Sequence, residues 1–537
     1  MESIEKFLQG ISPREYQIRI YENCKARNCL VILPTGTGKT LIALMLSIYV
    51  LEKNKGKILF LAPTRPLAEQ HLNYFKKHLQ MLIQMEIFTG KVPAEKRKEL
   101  WQRADIIFST PQCISNDLKN NLYDLSEVSL LIEDECHRCL KNYAYTDVAK
   151  KYKENEKSHL LGLTASPGAE KAIIKKVADN LGIEAIEIRT RDSEDVKEYL
   201  QELKFETIKL DFPEEFDRIR QMLRKIYDKK VEELRSRKLL FLPATKKNLL
   251  DTQHRIMSAV ASGNKHFNLL VGASACATAI KLQHALELLE TQTLSSFQTY
   301  MQDLFDQANK GKSRAAVQLV KQPEFNAAYI AATELLAKKI EHPKIEKIKE
   351  IVKEEMKSQK LEISDDYQNS KGILKKSKAK IIVFSQYRES VVKICKELNS
   401  LDNVKARVFV GQAKKTSKGE DTGLSQKEQQ EIIREFSLGK INVLCATSIG
   451  EEGLDIPEVN AVIFYEPVPS AIRKIQRAGR TARLMKGKLI ILITKNTRDE
   501  SYYWAAFHKE KKMYQAIEGI KKDMETNAIE GKQKTLL

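Results

Sequence analysis

The sequence contains no long hydrophobic run. Charged residues make up 30% of its 537 residues, and no apolar stretch approaches the roughly 20 residues that a helix needs to cross a bilayer. The first ten residues, MESIEKFLQG, also lack the basic and then apolar pattern of a secretory signal. We therefore expect a cytoplasmic protein without a membrane partner.

Cysteine is sparse and has no pairing pattern. The eight cysteines are scattered along the chain, which is typical of free thiols in a reducing compartment. Cys136 and Cys139 have the CxxC spacing of a zinc ligand pair, but no second CxxC or HxxxH motif accompanies them. The pattern argues against a disulfide-stabilised secreted domain and against a zinc module.

Acidic residues are outnumbered by basic ones. Lysine and arginine total 90 against 71 aspartate and glutamate residues, a formal net charge of +19. Such an excess suits a polyanionic partner, either nucleic acid or an anionic membrane surface, although a basic chain can also owe its charge to solubility. The length suggests about three or four domains.

Short apolar runs occur in the first and last thirds of the chain, where they alternate with amphipathic stretches. Continuous apolar runs of this length are typical of strands buried on both faces of a parallel sheet. The runs are Cys29–Leu33, Ile58–Ala62, Ile106–Ser109, Leu130–Glu133, Leu160–Leu163, Ile381–Phe384, Val404–Val410, Val443–Ala446, Ala461–Tyr465 and Leu489–Ile493. The pattern predicts two α/β domains, each with a doubly wound parallel sheet.

The middle of the chain has a different pattern, because its apolar residues recur at helical spacing between about Phe212 and His342. Residues 213–344 hold 21 lysine and arginine residues against 14 aspartate and glutamate residues, a net charge of +7. A polar, lysine-rich stretch at 358–380 predicts a mobile connection. The predicted units are a first α/β domain at 1–205, a basic all-helical insertion at 206–343, a second α/β domain at 344–515 and a polar tail at 516–537.

A phosphate-binding loop follows the first predicted strand. Residues 33–40 read LPTGTGKT and lie between a strand and a helix, although Leu33 stands where the strict P-loop pattern has glycine. Lys39 is expected to reach the β- and γ-phosphates of a nucleotide, and Thr40 to offer its hydroxyl to Mg²⁺. The other loop residues expected to surround the phosphates are Pro34, Thr35, Gly36, Thr37 and Gly38.

An acidic cluster ends a later predicted strand, Leu130–Glu133. Asp134 is expected to hold Mg²⁺, directly or through water, and Glu135 to orient and deprotonate the attacking water. Glu133 is expected to lie outside the site, as a supporting or surface acid. The sequence therefore predicts hydrolysis of a nucleoside triphosphate with Mg²⁺ as the metal.

Asp134-Glu-Cys-His137 resembles the DExH box of superfamily two helicases, and the other motifs of that superfamily follow in order. They are similar to the Q motif (Arg14–Gln17), motif Ia (Ala62–Arg65), motif Ib (Ser109–Pro111), motif III (Leu163–Pro167), motif IV (Val383–Gln386), motif V (Ala446–Pro457) and motif VI (Gln476–Arg483). The resemblance implies two RecA-like P-loop domains with ATP between them.

The resemblance also implies a role for each matching residue. Those implied in binding or turning over the nucleotide are Arg14, Gln17, Gly453, Asp455, Gln476, Arg480 and Arg483. Of these, Gln17 would read adenine, Gln476 would sense the γ-phosphate or the attacking water, and Arg480 and Arg483 would act as arginine fingers. Those implied in gripping a nucleic-acid strand are Thr64, Arg65, Thr110, Gln386 and Thr447. Those implied in coupling the two sites are His137, Thr164 and Ser166.

A narrower resemblance is to the archaeal Hef family, which is related to FANCM and Mph1. The helical insertion fits that group, as do the segments 342–354 and 497–513. The family implies an ATP-dependent DNA helicase or translocase that acts on branched, forked or single-stranded DNA. RIG-I-like and Dicer helicases also carry helical insertions, and they make double-stranded RNA the alternative partner.

Three further expectations concern what the chain lacks or ends with. Nothing after residue 483 resembles the XPF-type nuclease that often follows a Hef helicase, so we expect no nuclease activity here. A nucleotide-gated binding module without turnover would need a degraded ATP site, whereas the key residues are present. Residues 533–537 faintly resemble a sliding-clamp peptide, which makes a clamp a weakly supported partner.

Overall fold

The computed structural model places most of the chain. It describes residues 2–54, 56–155, 158–168, 170–200, 203–264, 266–366, 379–411, 416–417, 420–421, 423–447, 456–470, 477 and 487–535.

The first domain is a parallel sheet covered by helices on both faces. Its strands are β1 (Cys29–Ile32), β2 (Lys57–Leu61), β3 (Met85–Phe88), β4 (Ile106–Ser109), β5 (Val128–Asp134), β6 (Leu160–Thr164) and β7 (Ala185–Ile188). Its helices are α1 (Glu2–Glu5), α2 (Glu15–Ala26), α3 (Lys39–Asn54), α4 (Arg65–His78), α5 (Ala94–Arg103), α6 (Pro111–Lys119), α7 (Ala144–Tyr152), α8 (Lys171–Leu181) and α9 (Glu194–Lys197).

The strand order is β3-β4-β2-β5-β6-β1-β7. All four residues of β1 and of β4 are buried, which is why these strands read as continuous apolar runs. In a parallel sheet every strand ends at the same edge, so the segments after β1, β2, β4 and β5 are brought together there. That edge carries the P-loop, the acidic cluster and two of the predicted nucleic-acid motifs.

The middle of the chain is helical, as predicted. Its helices are α10 (Glu214–Ser236), α11 (Lys246–Ala261), α12 (Phe267–Thr291), α13 (Leu294–Asn309), α14 (Arg314–Val320) and α15 (Pro323–Ala337). The apolar stripe that runs from Phe216 to Leu234 on α10 is buried. Its first part, to Ile226, packs against α12, α13 and α15, and Val231 and Leu234 pack against α11 and α12 in a second cluster.

Helix α12 is apolar for most of its length. Its mean hydropathy over 18 residues is 1.3, so by length and composition it could cross a membrane, and among the described residues it is the one helix that meets this test. Leu282, Leu286 and Leu289 are buried in the helical core. Core helices of globular domains meet the same criterion, so the hydropathy of α12 carries no further conclusion.

The second domain is again a parallel sheet. Its elements are α16 (Lys344–Asp366), β9 (Ile381–Phe384), α17 (Arg388–Leu398), β10 (Ala406–Phe409), β11 (Thr416–Ser417), β12 (Glu420–Asp421), α18 (Gln426–Ser437), β13 (Val443–Ala446), β14 (Ala461–Phe464), β15 (Gly487–Thr494) and α19 (Arg498–Thr535). The strand order is β10-β13-β9-β14-β15-β8, where β8 is Leu203–Leu210. The predicted class, two parallel-sheet P-loop α/β domains with a helical insertion, is confirmed.

Two predicted boundaries are wrong. We placed residues 203–205 in the first domain and 206–210 in the insertion, yet β8 pairs in parallel with all eight residues of β15 in the second sheet. Its half-exposed residues give no apolar run, because it lies at the edge of that sheet. The chain therefore enters the second domain before it makes the insertion.

The predicted polar tail at 516–537 is also wrong in its first part. Helix α19 continues to Thr535, and Met513, Ile517 and Ile520 pack into the core formed with α8 and β7 of the first domain. We call the packing of Met513, Ile517 and Ile520 against the first domain the apolar contact. Likewise, residues 358–366 of the predicted mobile connection belong to α16, while residues 367–378 lie outside the described residues. The side chains of the clamp-like segment 533–537 also lie outside them.

The other end of α19 is held by buried polar groups. Lys344 Nζ lies 2.5 Å from Asp499 Oδ2, and both side chains are fully buried. Arg498 Nη1 lies 2.9 Å from Glu290 Oε2 of the insertion. We call the whole set the polar joint, and it consists of Glu287, Glu290, Gln292, Lys344, Ser385, Glu466, Arg498, Asp499 and Tyr502.

Candidate ATP site and nucleic-acid interface

The P-loop closes between β1 and α3. Gly36 and Gly38 have φ values of +85° and +80°, which glycine adopts without the strain that a side chain would cause. A Cβ at position 38 would also overlap the side-chain amide of Gln17. Thr37 Oγ1 donates to the Pro34 carbonyl at 2.7 Å, and Lys39 Nζ donates to the Leu33 carbonyl at 3.0 Å. These bonds fold Pro34–Thr40 into a loop that ends at a helix N-terminus, with Thr35 half-buried along it.

Gln17 fastens this loop to helix α2. Its Nε2 donates to the Thr37 carbonyl at 3.0 Å, and its Oε1 accepts from the Arg14 backbone N–H at 2.8 Å. Tyr16 donates to the same Thr37 carbonyl at 2.6 Å. Both ends of the Gln17 amide are thus bound within the protein, while the Arg14 guanidinium lies 4.9 Å from the Tyr199 ring. The amide can still form one further hydrogen bond at each end, and the predicted contact to adenine would use that capacity.

Successive side chains of strand β5 point to opposite faces of the sheet, which separates Glu133 from Asp134. Asp134 faces α4, whereas Glu133 faces the opposite layer, near Cys136, Cys139 and Tyr145. Glu133 is fully buried, and within the described residues neither carboxylate oxygen has a hydrogen-bond partner. Burial raises the pKa of Glu133 well above its ordinary value. Glu133 is therefore a buried acid rather than the surface acid that we allowed for.

Asp134 is held by a residue that the sequence analysis missed. Its Oδ2 lies 2.9 Å from Nε2 of His71 on α4, and both residues are 7% exposed. Burial alone would raise the pKa of Asp134, but the hydrogen bond from His71 and the charges of His71 and Lys39 outweigh burial and lower it. The site therefore favours an ionised carboxylate beside the P-loop lysine.

Glu135 has an unusual backbone conformation. Its φ is +51° and its ψ is +42°, in the left-handed region that is costly for a non-glycine residue. His137 Nδ1 lies 3.3 Å from Glu135 Oε2, but it makes its hydrogen bond with Thr164 Oγ1 at 3.1 Å. Among the described residues, no group hydrogen-bonds to Glu135 Oε2, although this oxygen is buried. Such an acceptor suits a water molecule bound for attack.

The three predicted coupling residues lie together. His137 meets Thr164, and Thr164 Oγ1 accepts from the Ser166 backbone N–H at 3.1 Å. The Ser166 hydroxyl in turn contacts Met513 Sδ at 2.9 Å. Because Met513 belongs to α19, the acidic cluster is connected through three residues to a helix that begins in the second domain. The sequence analysis did not predict a role for Met513. It identified the segment 497–513 only as similar to a Hef segment and assigned no function to its individual residues.

Two helix N-termini adjoin the ATP site. Thr64 precedes α4 and Thr110 precedes α6, and neither hydroxyl caps its helix. Since β2 and β4 are neighbours, these two N-termini lie side by side. Thr64 Oγ1 and Arg65 Nη1 are buried without hydrogen-bond partners among the described residues, while Arg65 Nε pairs with Glu69 at 2.7 Å. Unsatisfied donors at paired helix N-termini are suited to phosphate oxygens.

In the second domain, Gln386 and Thr447 follow the neighbouring strands β9 and β13. The Gln386 side chain is exposed and Thr447 is 7% exposed. The Gln386 backbone N–H donates to Glu466, whose other oxygen accepts from Ser385 at 3.1 Å. Burial raises the pKa of Glu466 to about 7, against the opposing charges of Arg477 and Lys344.

Five predicted nucleotide-site residues belong to motifs V and VI. Gly453, Asp455, Gln476, Arg480 and Arg483 lie outside the described residues. Arg477 is described and is fully buried, with its guanidinium 4.9 Å from the Phe384 ring and 5.4 Å from the Phe464 ring. Arg477 is therefore a core residue that packs against two aromatic rings.

The residues fit a magnesium nucleotide. Asp134 provides an ionised oxygen ligand within reach of the charge of Lys39, Thr40 lies in the first turn of α3 directly after Lys39, and position 38 has no room for a side chain. In the described part of the chain, no cluster of three His, Cys, Asp or Glu residues could hold a metal by itself. This is consistent with Mg²⁺ sites, which use few protein ligands together with phosphates and water.

Three family models match in the order of the domains. A DEAD/DEAH box helicase model matches residues 14–173. A model for the helical bundle of ATP-dependent RNA helicases, named provisionally, matches residues 215–342. A helicase conserved C-terminal domain matches residues 359–485. Each model thus matches a large part of one of the three units, namely the first α/β domain, the insertion and the second α/β domain.

Relatives match nearly the whole chain. The crystal structure of the Pyrococcus furiosus Hef helicase domain is 42% identical, covers 92% of this chain and 98% of its own, and has a TM-score of 0.66. MJ1505 of Methanocaldococcus jannaschii, named provisionally as an ATP-dependent RNA helicase, is 38% identical over 95% of this chain and 62% of its own. The ATP-dependent DNA helicase mph1 of Sclerotinia sclerotiorum is 33% identical over 94% of this chain and 41% of its own.

The chain thus spans between about two fifths and three fifths of the length of these two longer relatives. It matches the Hef helicase domain almost end to end, with the same two sheets and helical bundle. The chain therefore belongs to the Hef family of DExH-type ATP-dependent helicases.

Proposed function

We propose that this protein is an ATP-dependent DNA helicase or translocase that acts on branched or forked DNA, in the remodelling and repair of stalled forks. The observation that carries the proposal is the end-to-end match to a Hef helicase domain, supported by several relatives named as DNA helicases. A cytoplasmic location, expected from the sequence, stays a prediction.

Five residues of the first domain would handle ATP. Lys39 and Thr40 would contact the phosphates and Mg²⁺, and Asp134 would bind the metal. Glu135, whose buried Oε2 accepts no hydrogen bond from the described part of the chain, would take the proton from the attacking water. When bound, Mg²⁺ would neutralise charge on the phosphates. Gln17 would sense the adenine through the second N–H and the second acceptor position of its amide, while its bonds to Arg14 and Thr37 hold it in place.

The second domain would complete the site. Arg480 and Arg483 would stabilise charge on the transferred phosphoryl group, for which an arginine finger contributes roughly 10³- to 10⁵-fold in rate. Gln476 would sense the γ-phosphate, and Gly453 and Asp455 would contact the nucleotide. Their proposed roles rest on the motif resemblance.

Strand binding would use the edge of the first sheet and its counterpart in the second. Thr64, Arg65 and Thr110 would bind phosphates at two adjacent helix N-termini, and Gln386 and Thr447 would bind the strand from the second domain. Contacts of this kind grip the backbone without reading sequence. His137, Thr164 and Ser166 would relay the nucleotide state toward Met513 of α19.

The tip of the insertion would read the branch. Phe241 and Phe267 are 75% and 72% exposed. The exposed Arg255 donates to the Leu239 carbonyl, two residues before Phe241, and Arg237 donates to Asn268, one residue after Phe267. Aromatic faces beside cations suit unpaired bases, since base stacking contributes about 1–3 kcal/mol per base. A fork junction offers such bases, and the net charge of the insertion attracts the phosphates around them.

The test is the ATPase rate without nucleic acid and then with single-stranded DNA, forked DNA, four-way DNA junctions and duplex RNA. We expect the greatest stimulation with forked or four-way DNA, and a steep loss of binding with salt. Strongest stimulation by duplex RNA would reject the DNA assignment and favour the RIG-I-like or Dicer-like alternative. That result would also agree with the RNA helicase name of MJ1505.

A second experiment tests the insertion. The variant Phe241→Ala/Phe267→Ala should weaken stimulation by forked DNA at least tenfold while leaving stimulation by single-stranded DNA within about twofold. Ile330→Ala removes another exposed apolar side chain of the insertion, on α15 and 56% exposed, and serves as the matched control. Equal losses on both DNA substrates would assign the two rings to general strand binding.

A further inference from the structure

Helix α4 connects the two proposed sites of the first domain. It begins at Arg65, directly after Thr64, and carries His71 seven residues beyond Thr64. Seven residues are close to two helical turns, so Thr64 and His71 lie on the same side of the helix. One side of a single rigid element therefore presents both a strand-binding group and a contact to the ATP site.

The contact of His71 is specific. Its Nε2 lies 2.9 Å from Asp134 Oδ2, and its ring lies 4.4 Å from the ring of Phe60, which limits its orientation. A carboxylate that binds a metal can only accept hydrogen bonds, so with the metal bound Nε2 would carry the proton and donate it. The bond to Oδ2 thereby orients the Asp134 carboxylate that would bind the metal.

A second histidine on the same helix shows what an ordinary core histidine does here. His78 lies another seven residues along the same buried stripe. Its Nδ1 bonds the Gln9 carbonyl at 2.8 Å, which fastens the N-terminal segment. A buried histidine of the core is usually satisfied by a backbone group in this way. His71 differs because its partner is the carboxylate that would bind Mg²⁺.

We propose that His71 is a positioning residue of the ATP site, which orients the Asp134 carboxylate for Mg²⁺ and couples that orientation to strand binding at Thr64 and Arg65. Any shift of α4 that follows strand binding moves Nε2 and the carboxylate it holds. Groups that orient a metal ligand in this way typically change metal affinity 10- to 100-fold when they are lost. The inference rests on the proposed function for the identity of the metal and the strand.

The test measures binding and not turnover. A fluorescent ADP analogue is titrated with MgCl₂, with and without saturating oligothymidylate, and the half-saturating Mg²⁺ concentration is read from the fluorescence. His71→Leu keeps the apolar packing against Phe60 and removes the donor. His71→Gln keeps a side-chain N–H near the position of Nε2. His78→Leu is the matched control on the same face of α4.

We expect His71→Leu to raise the half-saturating Mg²⁺ concentration at least tenfold and to reduce the effect of oligothymidylate on it. His71→Gln should stay within about threefold of the wild type, and His78→Leu should match the wild type. Equal behaviour of His71→Leu and the wild type would overturn the inference, as would equal defects in the Leu and Gln variants, which would reduce His71 to packing. If the wild type itself bound the analogue independently of Mg²⁺, the proposed function would fail instead.

Discussion

The two ends of helix α19 are attached in different ways. Its N-terminal end lies in the polar joint, where Lys344 and Asp499 are fully buried and paired and where Tyr502 donates to Glu287 of the insertion at 3.1 Å. Its later part meets the first domain through the apolar contact of Met513, Ile517 and Ile520. Buried ion pairs and hydrogen bonds fix one geometry, whereas apolar contacts are non-directional.

The difference indicates which parts of the molecule move together. The insertion is fixed to the second domain by β8, by the polar joint and by the Ser296–Ser390 contact at 3.0 Å. The first domain contacts α19 through apolar side chains. Because such contacts are non-directional, small relative movements of α19 should cost little free energy. We therefore expect the second domain and the insertion to form one rigid unit, and the apolar contact to adjust as ATP is bound and released.

The largest effect should come from breaking the buried ion pair. Lys344→Met leaves Asp499 buried without its cation, which should cost about 3–5 kcal/mol. The double variant Lys344→Met/Asp499→Leu removes both charges and should recover most of that loss. Hydrogen exchange of α16 and α19 measures the difference. If the single and double variants were equally destabilised, the ion pair would not be what holds the joint.

A pH-dependent effect should come from Glu466, which is in the same joint. Burial raises its folded pKa to about 7, above the unfolded value of about 4.3. Its contribution to stability is thus fully present below about pH 4.3 and is lost as the pH rises through 7. Glu466→Gln should match the wild type at pH 4.5 and exceed its stability by about 3 kcal/mol at pH 8. A melting series across this range would contradict the assignment if the difference stayed constant.

The apolar contact should respond more weakly. Ile517→Val removes one buried methyl group and should cost about 0.5–1.5 kcal/mol. The loss should appear as faster hydrogen exchange at 513–520, with α16 unchanged. Gln515→Ala, on the exposed side of the same helix, is the control. A loss that spread to α16 would show that the two ends of α19 are not independent.

The smallest effect is expected at the surface. Lys171 Nζ lies 2.9 Å from Asp523 Oδ2, but the two side chains are 53% and 62% exposed. Lys171→Ala should change stability by less than about 0.5 kcal/mol and should lose even that effect in high salt. A larger, salt-resistant loss would mean that this ion pair, and not the apolar contact, fastens α19 to the first domain.

Much of the fold could be predicted because its signals are local. The strands buried on both faces read as apolar runs, and the P-loop needs glycine wherever φ is positive, as at Gly36 and Gly38. Edge strand β8 escaped prediction because its residues are half-exposed and carry no such run. The predicted second domain ended too early, at residue 515, because the apolar residues in the later part of α19 are widely spaced among polar ones.

The candidate site likewise contains residues that local sequence signals predict and residues that they do not. Lys39, Asp134 and Glu135 stand in ordered motifs, so their proximity follows from the shared edge of a parallel sheet. His71 escaped because its importance depends on which carboxylate lies opposite it, and the sequence offers only a histidine in an apolar helical stripe. Glu133 and Arg477 escaped for a related reason, since charged residues seldom read as buried from sequence alone.

The central claim is that ATP is hydrolysed at the site built by the P-loop and the end of β5. Glu135→Gln tests it most directly, with Glu133→Gln as the same substitution on the opposite face of the strand. Glu135→Gln should still bind a fluorescent ATP analogue and should lose about 10²- to 10⁴-fold in turnover, while Glu133→Gln should hydrolyse ATP at nearly the wild-type rate. Unchanged hydrolysis in Glu135→Gln, or an equal loss in both variants, would contradict the account.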